Sequence, residues 1–255
     1  MATDRLGSLL IITEDSGAEG HATIVAVVKR MLQLIVPDYQ THRLGFEPKD
    51  AQTQRALQGT GWKSEDPRSQ ADRATALRTI ATKLGRKDGF VLFHIDGDQT
   101  WTERRSSENV ELFRKRVIEP VRMILMRSDS TARDAEARIL RLLPVVPFYS
   151  IEAWLYQHTE VAIRLCRDRY QGRDVARFEA WRQDRAALDD VTKPKDEVCI
   201  KSSHNLECAG RGYPAQAVFE AGRSYMECVL RLRACSELWA LLDATAGREK
   251  DETLE

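Results

Sequence analysis

The segment Val91 to Trp101, VLFHIDGDQTW, narrows the folds open to this chain more than any other. Val91, Leu92, Phe93 and Ile95 leave neither face of a strand polar, except at His94. A strand with one wet face would alternate, so this run fits a central strand of a parallel sheet covered by helices on both sides. Sheets of that kind gather ligands at the carboxyl ends of their strands, and this run ends in Asp96-Gly97-Asp98. If the strand continues through Asp98, the two carboxylates share a face about 6.6 Å apart. They would repel each other, a cost that a divalent cation removes. A polar turn is the plainer reading of the same three residues.

A second acidic element lies near the start. Leu9 to Thr13 reads as an apolar strand, followed by Glu14, Asp15, a tight turn and a helix on which Ile24, Val28, Met31 and Leu32 recur at three- and four-residue spacing. Ser16 and Glu19 have the spacing of a capping box, which gives Glu19 a structural role. Glu14 then holds the place at its strand end that Asp96 holds at the other. Asp15, nearer the first turn, suits interaction with the helix dipole. In a third element, Pro147 to Tyr149 end an extended segment, and Ser150 is the expected N-cap of a helix with Glu152 in its first turn. That carboxylate fits either the exposed amides of the turn or a ligand role.

A strand ending in Glu, a helix and a later strand ending in Asp-x-Asp resembles the Toprim fold of topoisomerases, primases and OLD-family nucleases. The stretch SIEAWLYQHTE, residues 150–160, resembles a motif of small stand-alone Toprim-like proteins of bacterial defence loci. The resemblance implies a mostly parallel, Rossmann-type α/β sheet flanked by helices. It also implies magnesium or manganese on Asp96 and Asp98, with Glu14 as a further ligand or the base that activates water. Asp15 or Glu152 would complete a second metal position. The family's glycine after the glutamate is replaced by Asp15, and the stretch from Glu14 to Asp96 is longer than usual for the family. A lysine serves the phosphoryl transition state in OLD-like nucleases, and Lys193, Lys195 and Lys201 are the candidates here.

Between and beyond these motifs the pattern stays α/β and then becomes helical. A strand over 41–46, a polar connection over 45–68 long enough for a binding loop or lid, and helices over 71–84 and 110–126 are expected. Past Glu160 only helical patterns follow, over 161–169, 174–188, 215–221 and 225–242, with a polar, frayed tail after Ala246. We therefore expect an α/β catalytic core over 1–160 and a helical extension over 161–255. His94 reads as a buried, hydrogen-bonded histidine.

The 39 basic and 39 acidic residues cancel, so no global field draws in nucleic acid. Local clusters remain, and Arg104 and Arg105, just beyond the aspartates, are the best placed for substrate phosphate, with Lys201 behind them. Five cysteines, an odd number, argue against a disulfide framework, and Cys199, His204 and Cys208 lack a standard zinc spacing. No stretch reaches the roughly 18 apolar residues of a membrane span, and no leader is evident, so a cytoplasmic location is expected.

These features lead to the expectation of a metal-dependent nuclease, with DNA or RNA as substrate, in anti-phage defence. Homodimerisation stays open, as does a separately encoded ATPase partner, since the chain has no P-loop pattern. A rival reading is a haloacid-dehalogenase-type phosphatase: Asp96-Gly-Asp98-Gln-Thr100 resembles its D-x-D-x-[TV] motif, with Asp96 as nucleophile. That family opens its fold with this motif and carries a late acidic strand end, whereas here Asp189 and Asp190 follow a helical segment. A non-catalytic module beside an ATPase is the third reading.

Overall fold

The computed structural model describes residues 5–17, 19–47, 51–59, 61–128 and 131–246. The expected tail after Ala246 lies outside them. Four strands, β1 (Gly7–Thr13), β2 (Leu44–Glu47), β3 (Gly89–His94) and β4 (Leu142–Val145), form an all-parallel sheet in the order β2-β1-β3-β4. Alternate residues of one strand feed opposite cores, as the two-residue period of a strand requires. Leu9, Ile11 and Leu92 pack on one face with Ile24, Val28, Met31 and Leu32 of α1 (Gly20–Ile35). Leu10, Ile12, Val91, Phe93 and Ile95 pack on the other. Each fully buried aliphatic side chain of this kind contributes about 1.5–3 kcal/mol, so the unbroken apolar run of β3 is held at the centre.

The second face is covered by α2 (Ala51–Leu57), α3 (Pro67–Gly85), α4 (Glu108–Phe113), α5 (Glu119–Ser128) and α6 (Ala132–Ile139), with Leu57, Leu77, Ile80, Phe113, Val121 and Ala135 buried there. The long polar connection expected over 45–68 contains α2. Helix α3 starts earlier than its apolar pattern, because Asp66 Oδ1 accepts from the amides of Arg68 and Ser69 (3.1 and 3.0 Å) and Pro67 stands in the first turn. The single helix expected over 110–126 is opened by a wide π-type turn at Arg114–Ile118. Pro120 has no N–H for the carbonyl four residues back, which gives the ladder a reason to open there.

After α7 (Glu152–Leu155) come α8 (Thr159–Tyr170), α9 (Val175–Gln183), α10 (Asn205–Cys208), α11 (Ala215–Glu220), α12 (Arg223–Ala234) and α13 (Ser236–Thr245). The helix expected over 225–242 is two, broken where Cys235 turns extended. Leu165, Cys166, Val229, Leu232 and Leu238 from these helices join the α1-side core directly. Among the described residues no helix is long and apolar enough to cross a membrane. All five cysteines are free, with Cys166 Sγ 2.9 Å from Cys199 Sγ, and His204 bonds Tyr170.

The capping box expected at α1 does not form. Glu19 occupies the N-cap position and no side chain caps the helix there. Asp15 makes the turn instead: its Oδ1 accepts from Gly17 N at 2.8 Å, and a Cβ on Gly20 would stand 2.7 Å from its carboxyl carbon.

Candidate functional site

The chain leaves β1 through α1 toward one edge of the sheet, and returns to β3 on the other side of β1 through α2 and α3. The connections part there, so a crevice opens at the carboxyl ends of β1 and β3, the switch point where parallel sheets bind ligands. Glu14 and Asp96 stand at those two ends. Thr13 and His94 are register partners across the strands, and Thr13 Oγ1 lies 2.8 Å from His94 Nδ1. His94 is therefore held in the sheet, with its other ring nitrogen 3.3 Å from Asp96 Oδ1. Buried among carboxylates, that nitrogen has no well-formed hydrogen bond.

Asp96 and Asp98 do not share a face. The strand ends at His94, and Asp98 takes the left-handed conformation, φ 52°. The reason is the continued pairing of the segment with residues 145–149: Gly97 N donates to Pro147 O (3.0 Å), Asp98 N to Tyr149 O (3.1 Å) and Gln99 N to Phe148 O (2.9 Å). A Cβ on Gly97 would lie 2.6 Å from Phe148 O, so only glycine fits between the two segments. Gly97→Ala is expected to cost about 1–3 kcal/mol by overpacking. Urea titration checks it, and an unchanged midpoint would mean that the segments part freely.

Asp96 turns inward. Its Oδ1 accepts from Ile151 N at 3.1 Å, and burial pushes its carboxyl from the ordinary 3.8 up to about 6, partly offset by His94. Burial alone would lower His94, but the Asp96 carboxylate beside it, with Glu14 and Asp15 beyond, raises it on balance. Asp98 turns outward, with its Oδ2 accepting from Asn109 Nδ2. Asn109, in α4, also donates to Asp96 O at 3.0 Å and so clamps the turn.

Glu14 is the buried member, 8% exposed. Its Oε1 accepts from Asp96 N and its Oε2 from Trp62 Nε1 (3.0 Å). Around it α2 and the turn after it latch onto β1's end: Gln54 Nε2 donates to Thr13 O, Gly59 N to Glu14 O (2.6 Å) and Gln58 Nε2 to Asp15 O (2.8 Å). The ammonium of Lys63 lies 3.4 Å from Glu14 Oε2 and 3.9 Å from Asp98 Oδ2. Glu14 and Asp98 thus converge on one cation, supplied by the chain itself.

The other expected ligands are close by but engaged in other contacts, and Glu152 is near enough to Asp96 to raise its carboxyl further. Asp15 is engaged in its own turn against α1. Glu152 is buried with both oxygens used, Oε2 by the Ser150 hydroxyl (2.7 Å) and Oε1 by Asn205 Nδ2 (3.0 Å). Ser150 does not cap α7 as expected, since Ile151 takes that position and the Ser150 hydroxyl goes to Glu152. Arg104 folds back over the Trp101 ring, 3.9 Å from its centroid, and donates to Trp101 O. Arg105 and Lys201 are exposed, and Lys201 precedes Ser202 and Ser203, which line a cavity of about 350 Å³ with Asp15, Gly20, Thr23 and Asn205. Asp189 and Asp190 are anchored to Ser224 and Arg223 of α12.

Among the described residues no three His, Cys, Asp or Glu side chains form a ready metal cage. Magnesium does not need one: it keeps several waters and takes one or two carboxylates together with substrate phosphates. Two hard carboxylates already sharing a stand-in ammonium fit that requirement. Trp62, Lys63 and Asn109 were not singled out by the sequence reading. The one signal for the first two is a tryptophan inside an otherwise polar connection. Comparison with protein-family models, with curated proteins and with solved structures gives no match.

Proposed function

We propose that this chain is a magnesium- or manganese-dependent hydrolase of nucleic-acid phosphodiesters, a Toprim-like nuclease, with Glu14 and Asp98 as the carboxylates that hold the metal. The observation that carries this reading is the shared cation place between them at the switch point of a parallel sheet. A metal held there supplies Lewis-acid stabilisation of a phosphoryl oxygen and a water of lowered pKa. The chain's own residues do the rest. Trp62 Nε1 and the Asp96 amide hold Glu14 in one orientation, and Asn109 holds Asp98.

Asp96 is the proton-handling group in this proposal. Its Oδ1 accepts from Ile151 N and lies 3.3 Å from His94 Nε2, and burial raises its carboxyl to about 6, so Asp96 and His94 together can pass a proton to or from a reacting oxygen. Arg105 and Lys201 remain the exposed cations available to a nucleic-acid backbone, and a separately encoded ATPase remains a candidate partner.

The test is cleavage of single- and double-stranded DNA and RNA with manganese by the wild type and by Asp98→Asn, with the fold checked by circular dichroism. The variant is expected to lose more than the roughly 10- to 100-fold that removing a residue behind a metal's ligands costs. Equal cleavage by the variant would take Asp98 out of the mechanism. Turnover of a phosphate monoester, with trapping by beryllium fluoride, would favour the phosphatase.

A further inference from the structure

We propose that Lys63 is a built-in counter-ion that competes with divalent metal for the place between Glu14 and Asp98, so that the centre binds metal more weakly than the carboxylates alone would. The inference rests on the metal-binding role given to Glu14 and Asp98 above. What it adds is the regulation of that centre by the chain's own cation.

Three features carry it. First, Lys63 is loosely held. Its ammonium is 3.4 and 3.9 Å from the two carboxylates, beyond the 2.7–3.2 Å range of an N–H···O hydrogen bond. Its third neighbour is the Trp62 ring, 4.9 Å away. A divalent cation, which bonds carboxylate oxygens directly where it is held, would be the stronger partner for these carboxylates.

Second, the backbone beneath Lys63 is fixed. Trp62 is fully buried, Arg73 Nη1 donates to Trp62 O and Ser64 O (3.0 and 2.8 Å), and Arg116 donates to Lys63 O. Two guanidinium groups therefore strap the segment to α3 and to the π-type turn after α4. Only the four-carbon stem has to swing for the ammonium to leave, a side-chain movement of the ps–ns class. The stem, 24% exposed, has solvent to move into.

Third, the two carboxylates need a cation in either state. Glu14 is buried and Asp98 faces the same point, so emptying the place leaves like charges together. Lys63 meets that need without metal. Any metal that enters must displace a positive charge that stays tethered nearby.

The experiment is calorimetric titration of manganese chloride into the full chain, as wild type, Lys63→Met and Lys63→Arg, with thermal melts of each in EDTA and in manganese. Lys63→Met is expected to bind manganese about tenfold more tightly than wild type, inside the roughly 5- to 150-fold range of coupled sites. Its melting temperature should be lower than wild type in EDTA and recover with manganese. Lys63→Arg, which keeps the charge, should behave as wild type. Equal or weaker binding by a folded Lys63→Met, with wild type binding normally, overturns the competition and leaves the metal centre standing. No binding by any of the three proteins overturns both, since the carboxylate pair would then hold no metal at all.

Discussion

Trp62→Ala is expected to destabilise the protein by about 3–5 kcal/mol, the usual cost of emptying a large aromatic site in a core. The indole is fully buried. It meets Phe113 edge to face at 6.0 Å and 85°, and Phe113 in turn meets Phe93 of β3 at 4.9 Å. The ring is therefore the link through which a long surface connection is stitched onto the central strand. Against a total stability of about 5–15 kcal/mol for an ordinary domain, its loss is roughly a fifth or more. Trp62→Phe separates two contributions in part: it keeps an aromatic ring in the core but removes the N–H that Glu14 accepts, along with the volume of the second ring. It should lie between wild type and Trp62→Ala in a urea titration. A midpoint for Trp62→Ala within about 1 kcal/mol of wild type would mean that the connection is not part of the core.

That tryptophan also marks where the sequence stopped being legible. The strands β1 and β3 were readable because Leu9 to Ile12 and Phe90 to Phe93 are apolar on both faces, a pattern that fits a sheet covered on both sides. The carboxylates at their ends could be named for the same reason. Asp15 and Asp98 take their orientations from local partners that no alternation pattern carries: Asp15 bonds its own turn, and Asp98 is rotated by the pairing of residues 95–99 with residues 145–149. Both are decided by partners that the linear order does not announce. Lys63 is a sharper case, because the lysines sought for a phosphate role lay in the later helical part. The lysine that reaches the carboxylates sits in a stretch that read as a polar loop, brought there by the burial of the residue before it.

Glu14→Gln, commonly chosen as a harmless isostere, is expected to be anything but silent here. Both carboxylate oxygens accept: Oε1 from the Asp96 amide and Oε2 from Trp62 Nε1. Glutamine has one oxygen and one NH2, so whichever way its amide turns, a buried donor faces another donor. One unmet buried hydrogen bond costs about 1–3 kcal/mol, and the metal site proposed above would lose a ligand charge as well. Asp98→Asn removes the same formal charge from an exposed side chain, 60% accessible, where substitutions usually stay within about 0.5 kcal/mol. Paired denaturant titrations should therefore split the two variants in stability while manganese calorimetry shows binding lost in both. If Glu14→Gln were as stable as Asp98→Asn, Glu14 would not be held by two donors. The orientation on which its ligand role depends would then have to come from elsewhere in the crevice.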